Sequence, residues 1–213
     1  MQKSIFIKNR NQLNKMKAQS FGSKNAWLAI KSTNRKLVIN SLAKIFEVDS
    51  TINWEEGVKK GYYGDFFLTP GIDGWIFLVS SELFQILNDL QDLSKELGDV
   101  QFYATHRGNN YIEIRRYLDG REIRVLKCSD GELIKESGDP SSIELSIAKG
   151  ELEESLEDVK DDKELYEYYQ TRPLLSYLGS EKHVFLIAEN WSLNPQKLNE
   201  YDSDELGEIL IKK

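Results

Sequence analysis

Tyrosine and arginine side chains alternate along two consecutive segments that we expect to be neighbouring strands. Residues two apart in a strand point to the same face of the sheet, so each segment presents one polar, aromatic face. Guanidinium groups bind phosphate or carboxylate through charge-assisted hydrogen bonds, and aromatic rings stack on unpaired bases. The pattern predicts a binding face on this sheet, with Tyr103, Arg107, Arg115 and Arg124 as candidate binding residues.

The same residues allow a structural interpretation. Glu113 lies two residues before Arg115, and Arg124 follows in the next predicted strand. Cross-strand ion pairs among these three side chains would neutralise the arginines on an open, solvated sheet face. The pattern favours this second interpretation, and the binding face remains the alternative.

Residues that could do catalytic chemistry are sparse. The two histidines, His106 and His183, are far apart in the sequence. The sequence contains no motif of the zinc hydrolases, the serine hydrolases, the P-loop proteins or the dinucleotide-binding proteins. His106 beside Arg107 could act as an acid or base, but a lone histidine at a strand end is more often structural. We therefore predict no catalytic residue, and an enzyme is the less favoured class.

Metal and cofactor binding find equally little support. Glu55 and Glu56 beside Trp54 could bind a metal ion, yet no partner carboxylates occur at a diagnostic spacing. We interpret this pair as charge at a helix N-terminus, which the helix dipole favours. Because Cys128 is the single cysteine, no internal disulfide or cysteine-based zinc cluster can form. No cofactor and no metal are predicted.

Charge is distributed unevenly along the chain. Residues 1–46 contain ten of the 28 basic residues and no acidic residue, whereas the remainder carries 18 basic and all 35 acidic residues. Such asymmetry can mark a surface for nucleic acid or another anion, or it can let the two parts of the chain attract each other. We favour the intramolecular or simply solvated interpretation.

A repeated unit indicates the elements that position the candidate residues. Trp27 and Trp75 each open a short apolar run, and a stretch with helical apolar periodicity follows each run. Runs this short predict strands. Two more strands, near 66–69 and 100–105, complete the order β-α-β-β-α-β. We therefore predict an α+β fold with a ferredoxin-like antiparallel sheet and both tryptophans in its core.

Further segments extend this sheet and follow it. Strands at about 111–118 and 121–127 are joined by Asp119-Gly120, a strong hairpin signal. Helices are expected to predominate after this hairpin. We divide the chain into a basic N-terminal segment (residues 1–24), an α+β sheet domain (residues 25–140) and a helical C-terminal region (residues 141–213).

Two segments of the C-terminal region have distinctive patterns. Residues 151–167 contain nine acidic residues against Lys160 and Lys163, which indicates a solvated helix or, as we favour, a joint flanked by helix. Residues 187–198 resemble a helix-turn-helix, in which Gln196 and Lys197 would face bases. Acidic residues follow this segment and would repel phosphate, so we favour a plain helical hairpin.

Four motifs together resemble a family of uncharacterised bacterial proteins. These motifs lie at residues 54–57 (WEEG), 69–75 (TPxxDGW), 102–107 (FxATHR) and 191–195 (WSLNP). The resemblance covers roughly residues 25–200 and implies a bacterial source. Some proteins of this general kind resemble immunity or accessory proteins of toxin systems. The resemblance implies no catalytic residue and no reaction.

These patterns lead to one expected function and one alternative. No segment approaches the about 20 consecutive apolar residues that span a bilayer, and the first eight residues contain too short an apolar run for a signal peptide. We expect a cytoplasmic, non-enzymatic binding protein, immunity-like or regulatory, whose acidic C-terminal half suits a basic protein partner. The alternative is a small-molecule or nucleic-acid binding protein, possibly an enzyme, that uses the Tyr/Arg-rich sheet face. The oligomeric state is not indicated.

Overall fold

The computed structural model describes residues 17–203 and 205–213. Its helices are α1 (Arg35–Leu42), α2 (Trp54–Tyr62), α3 (Leu90–Leu97), α4 (Ser142–Asp158), α5 (Lys163–Thr171) and α6 (Glu181–Trp191). Its strands are β1 (Ala26–Lys31), β2 (Phe46–Ile52), β3 (Phe66–Leu68), β4 (Trp75–Val79), β5 (Asp99–His106), β6 (Tyr111–Leu118), β7 (Arg121–Ser129), β8 (Glu132–Ser137) and β9 (Gly207–Lys212). The predicted mixed α+β class is confirmed.

The nine strands form one sheet in the order β2-β9-β3-β4-β1-β5-β6-β7-β8. Every adjacent pair in this order is antiparallel. Strands β2 and β8 are therefore the two edges, and β1 lies at the centre. None of the helices in the described ranges is both long enough and apolar enough to cross a membrane.

Local sequence signals explain several element boundaries. The side chain of Asn34 accepts a hydrogen bond from the Leu37 N–H at the start of α1, and Asn53 does the same for Glu56 in α2. Such short polar side chains satisfy N–H groups that the first helical turn leaves unpaired. Asp119 and Gly120 have φ angles of 49° and 79°, and these positive values match the twist of a two-residue hairpin turn.

The predicted ferredoxin-like β-α-β-β-α-β core is not confirmed, and the sheet is much larger. The prediction missed β2, because the apolar periodicity suggested that α1 continues to Phe46. Instead, α1 ends at Leu42, and β2 forms an edge of the sheet. Residues 47–51 of β2 are all exposed, so this strand lacks the alternation of apolar and polar residues that identifies a half-buried strand.

Strand β9 also lies where helices were predicted, and it joins distant parts of the chain. It pairs with β2 on one side and with β3 on the other. Ile209 and Leu210 are both buried, on opposite faces of the sheet. The last strand of the sequence therefore connects the edge strand β2 to the rest of the sheet.

Helices cover both faces of the sheet. Helices α1 and α3 pack on one face, against Leu28, Leu78 and Phe102; we call it the α1/α3 face. Helices α2, α4 and α6 pack on the opposite face, which we call the α4/α6 face. There, Trp27 is fully buried and stacks on Phe185 of α6, with ring centres 5.9 Å apart. Both Trp27 and Trp75 belong to this core, as the repeated unit predicted.

The region after residue 140 is structurally linked to the sheet. Helix α6 packs on β5 and β6, and α5 packs on α4. The division into a sheet domain (25–140) and a helical region (141–213) stays a prediction, although β9 belongs to the sheet. Most of the basic segment 1–24 lies outside the described residues, and its last residues contact the segment after α6, where the Ala18 N–H donates to the Tyr201 carbonyl.

The position of β9 can be tested with two neighbouring aliphatic residues. Leu210 is 3% exposed and Ile211 is 46% exposed. We expect Leu210→Ala to lower the free energy of unfolding by about 2–5 kcal/mol, because it leaves a cavity in the core. The matched control, Ile211→Ala, should cost less than about 1 kcal/mol. Urea unfolding of the two variants measures both values, and equal costs would contradict this arrangement of β9.

Candidate functional site

The strand register divides the four predicted binding residues between the two faces of the sheet. Tyr103 in β5 lies opposite Ile114 in β6, and Arg115 lies opposite Phe102. Tyr103 therefore faces the α4/α6 side, whereas Arg115 faces the α1/α3 side. The alternation within each strand was predicted correctly. The strands are offset by one residue relative to that prediction, and such an offset moves a whole set of side chains to the other face.

Tyr103 is a buried core residue. Its ring stacks on Trp27 with ring centres 5.1 Å apart, and its hydroxyl donates a 2.7 Å hydrogen bond to Gln101 Oε1. Burial raises the pKa of the Tyr103 hydroxyl well above its ordinary value, so the hydroxyl stays protonated and remains a donor. The predicted ligand-stacking ring is thus occupied by contacts within the protein.

A polar cluster beside Tyr103 was missed by the sequence interpretation. Gln101 Nε2 donates to Asp99 Oδ1 at 3.1 Å, and Arg116 donates to both Asp99 carboxylate oxygens at 3.2 and 2.7 Å. The Arg116 guanidinium carbon also lies 5.5 Å from the ring centre of Trp191 in α6. The spacing of Asp99, Gln101 and Tyr103 at every second position was the available signal. The cluster links the sheet to α6, because Gln101 Nε2 also donates to the Trp191 carbonyl at 3.2 Å.

Arg124 forms a buried ion pair with Glu144 in α4. The Arg124 Nε donates to Glu144 Oε1 at 2.8 Å, and the two side chains are 3% and 1% exposed. The other carboxylate oxygen, Oε2, accepts hydrogen bonds from the Ser141 N–H at 2.8 Å and the Ser141 hydroxyl at 2.7 Å. Glu144 therefore completes the capping box of α4 and fixes that helix to β7.

Arg115 belongs to a separate cluster on the α1/α3 face. Its Nε donates to Glu113 Oε1 at 2.6 Å, and Glu113 also accepts a hydrogen bond from the Tyr111 hydroxyl. Lys127 in β7 lies 3.7 Å from Glu113 and supplies the cross-strand ion pair. The structure thus contains ion pairs of the predicted kind, but Arg124 is not part of this cluster.

Arg107 lies beyond the end of β5 and pairs with Glu181 at the start of α6. Its Nε donates to Glu181 Oε1 at 2.8 Å. Hydroxyl groups of Thr105 and Ser23 donate to the same carboxylate at 2.9 and 3.1 Å. Burial by itself raises the pKa of Glu181, but these hydrogen bonds outweigh burial and hold the pKa below its ordinary value. Glu181 ties three segments of the chain together.

The two histidines lie in different surroundings and have different partners. His106 is exposed, and its Nδ1 lies 3.1 Å from Asn109 Oδ1. His183 is buried, with Nε2 2.9 Å from Glu151 Oε1 and Nδ1 accepting from the Ser180 N–H at 3.4 Å. Across residues 17–203 and 205–213, no group of three or more His, Cys, Asp or Glu side chains is placed to hold a metal ion.

The segment that resembled a helix-turn-helix contains one helix and one short turn. Helix α6 is followed by a 3₁₀ turn at Pro195–Glu200. Asn194 caps this turn by accepting from the Gln196 N–H at 3.0 Å. Lys197 in the turn pairs with Glu189 in α6 at 2.5 Å. A six-residue 3₁₀ turn is much shorter than the recognition helix that enters a DNA groove.

Helices α4 and α5 carry the acidic stretch on the protein surface. The chain turns at residues 159–162, so this stretch forms a helical hairpin. We call the part from Glu151 to Glu167 the acidic hairpin. Eight of its nine carboxylate residues are exposed, and Leu165 and Tyr168 of α5 are also exposed. The predicted joint is therefore a short turn between two helices.

Comparison with known proteins adds no identification. No protein-family model, no curated protein and no solved structure matches this chain. The resemblance of the four motifs to a bacterial family thus stays an expectation. Whether Tyr103, Arg107, Arg115 and Arg124 bind a ligand also stays a prediction, although they lie in separate environments.

The buried pair of Arg124 and Glu144 leads to a stability prediction. Glu144→Gln removes the buried carboxylate charge beside Arg124 and leaves the partly exposed Glu136 as the carboxylate partner of this buried guanidinium. We expect a loss of about 3–5 kcal/mol in the free energy of unfolding. The matched control is Glu136→Gln, because Glu136 also contacts Arg124, at 3.1 Å, but is 34% exposed. Urea unfolding should show a cost of at most about 1 kcal/mol for the control, and a similar cost for Glu144→Gln would contradict the role of this pair.

The Glu181 contacts lead to a pH prediction. A carboxyl group whose pKa is lowered by folding stabilises the protein above its unfolded-state pKa, and this contribution is lost as the pH falls through the folded-state pKa. Glu181→Gln should therefore lower the free energy of unfolding at pH 7 by about 1–3 kcal/mol, and the difference should shrink below about pH 4. Urea unfolding of both proteins between pH 3 and 7 measures this difference in the free energy of unfolding. Glu153→Gln on the exposed side of α4 is the control, and a pH-independent deficit for Glu181→Gln would refute the prediction.

Proposed function

We propose that this protein is a non-enzymatic cytoplasmic binding protein, immunity-like or regulatory, that recognises a basic surface of another protein. The observation that carries this proposal is the acidic hairpin, whose carboxylates are largely without ion-pair partners. Lys160 pairs with Glu157, and Lys163 pairs with Glu167. Within the described part of the chain, six exposed carboxylates of the hairpin have no ion-pair partner: Glu153, Glu154, Asp158, Asp161, Asp162 and Glu164.

The hairpin combines this charge with apolar surface. A negative field steers a positively charged partner and orients it during encounter. Leu165 is 44% exposed and Tyr168 is 55% exposed, and both lie on α5 among the carboxylates. Aromatic and aliphatic side chains form the central, desolvated part of many protein interfaces, whereas charges form the rim. The acidic hairpin offers both components on one helix pair.

The alternative function has weaker geometric support. A ligand site on the sheet requires Tyr103, Arg107, Arg115 and Arg124 to converge, yet Tyr103 and Arg115 face opposite sides. Each of the three arginines also has a carboxylate partner. The net charge of −7 disfavours attraction to a nucleic acid. We therefore propose protein recognition and not nucleic-acid recognition.

A charge-reversal experiment tests the proposed function. A photo-crosslinkable residue placed at Leu165 in the full chain would capture the bound protein in the source cell, and mass spectrometry would identify it. Affinity for that purified partner would then be measured for two variants with equal changes in charge. Glu153→Lys with Glu154→Lys alters the hairpin, and Glu47→Lys with Asp49→Lys alters β2 at the far edge of the sheet.

We expect the hairpin variant to bind the partner at least about tenfold more weakly than the wild type at low salt, because surface charge pairs contribute to encounter and orientation. The β2 variant should bind within about twofold of the wild type, and added salt should weaken the wild-type complex. Equal effects of the two variants, or an acidic partner, would refute the proposal. Salt-sensitive binding to nucleic acid that is lost in Arg115→Ala with Arg124→Ala would support the alternative.

A further inference from the structure

Arg172 has an environment unlike that of the other arginines in the core. It follows α5 directly, and the next residue is Pro173, which cannot continue the helix. Its guanidinium carbon lies 5.7 Å from the ring centre of Tyr168 and 5.3 Å from that of Tyr177. One of its nitrogens, Nη2, donates to the Gly131 carbonyl. These contacts fix the orientation of the guanidinium plane.

No carboxylate compensates the charge of Arg172 among the described residues, although the chain is most acidic in this region. A guanidinium has five N–H donors, and the Gly131 carbonyl is the protein acceptor that the described residues provide. The remaining donors form the kind of planar fork that binds two oxygens of a phosphate or carboxylate. Arg172 is thus a fixed cation with unused donors.

Arg172 lines a cleft of about 380 Å³ between α4, the β7–β8 turn and the start of α6. The cleft is shallow and largely open to solvent, so a ligand bound in it would be only partly enclosed. The hydroxyl residues Ser155, Tyr177 and Ser180 also line it. The hydroxyls of Ser155 and Tyr177 already donate to the carbonyls of Glu151 and Tyr169, at 2.8 and 2.7 Å. Ser180 therefore supplies the hydroxyl donor of the cleft, and the ring of Tyr177 adds apolar surface.

Glu151 is a carboxylate in the lining of this cleft and could oppose an anion. Its Oε1 atom lies 2.9 Å from His183 Nε2 and 3.5 Å from Lys182 Nζ. Burial by itself raises the pKa of Glu151, but His183 and Lys182 outweigh burial and hold this pKa below its ordinary value. The Glu151 charge is therefore offset by its own partners, which leaves the Arg172 charge available to a ligand.

We propose that this cleft binds a small molecule through a phosphate or carboxylate group, with Arg172 as the anchoring residue. The oxyanion would accept hydrogen bonds from the unused guanidinium donors. The rest of such a ligand would lie against the tyrosine rings. This site adjoins the acidic hairpin proposed for protein recognition, because Glu151 and Ser155 of that segment line the cleft. It uses none of the four residues predicted from the sequence.

Calorimetric titration of the full chain with inorganic phosphate and with acetate, at constant ionic strength, tests the site and distinguishes the two oxyanions. We expect saturable binding of at least one anion, weakened at least tenfold by Arg172→Gln. Arg172→Lys should bind with intermediate affinity, because it keeps the charge but loses the planar fork. The matched control is Arg121→Gln, which removes the same charge from an exposed arginine at the start of β7 and should bind as the wild type does.

Circular dichroism would first establish that each variant is folded. If Arg172→Gln does not fold, Arg172→Lys and Ser180→Ala still test the site, because each should weaken anion binding. Non-saturable titration of the wild type with both anions would overturn the proposal. Equal affinity of the wild type and the folded Arg172 variants would overturn it as well.

Discussion

Backbone pairing of β9 with β2 and β3 is the contact on which the integrity of the sheet depends. β2 pairs with β9 and occupies an edge, so its link to the other strands passes through the last strand of the sequence. Ile209 and Leu210 reinforce this pairing by packing into the cores on opposite faces. Contacts between parts of the chain so far apart in sequence carry a high loop-closure cost, which slows folding.

Buried charges attach the helices to this sheet in specific orientations. Glu144 binds Arg124 with one oxygen and the first turn of α4 with the other, so that α4 begins at a defined point above β7. Asp99 and Arg116 make a second connection, toward α6. Removing one partner of such a pair costs more folding free energy than the intact pair contributes, because the remaining charge stays buried. These arginines therefore hold helices on the sheet, whereas eight of the nine carboxylates of the acidic hairpin are exposed to solvent.

For the candidate binding face, the sequence pattern predicted the alternation within each strand but not the register between the strands. Successive side chains point to opposite faces of a sheet in any strand, and the side chains of β5 and β6 alternate in this way. The relation between the two strands is set by their connection, a 3₁₀ turn at Arg107–Asn109 followed by Asn110 in the left-handed conformation. That connection pairs Tyr103 with Ile114. Because register is a property of the turn and of the packed faces, the sequences of the two strands did not reveal that Tyr103 and Arg115 point apart.

Local interactions made three features predictable from the sequence: the α+β class, the β6–β7 hairpin, and the burial of Trp27 and Trp75. Each depends on residues close together in the chain or on an apolar run that must be buried. Tertiary structure decided the remaining features. These are the order of the nine strands, the exposed edge strand β2, the partners of Arg124 and the cleft beside Arg172. They arise where segments more than a hundred residues apart, or separate helices and strands, meet in space. Hydrophobic burial is non-directional, so an apolar pattern indicates that a segment is buried but does not specify its partner.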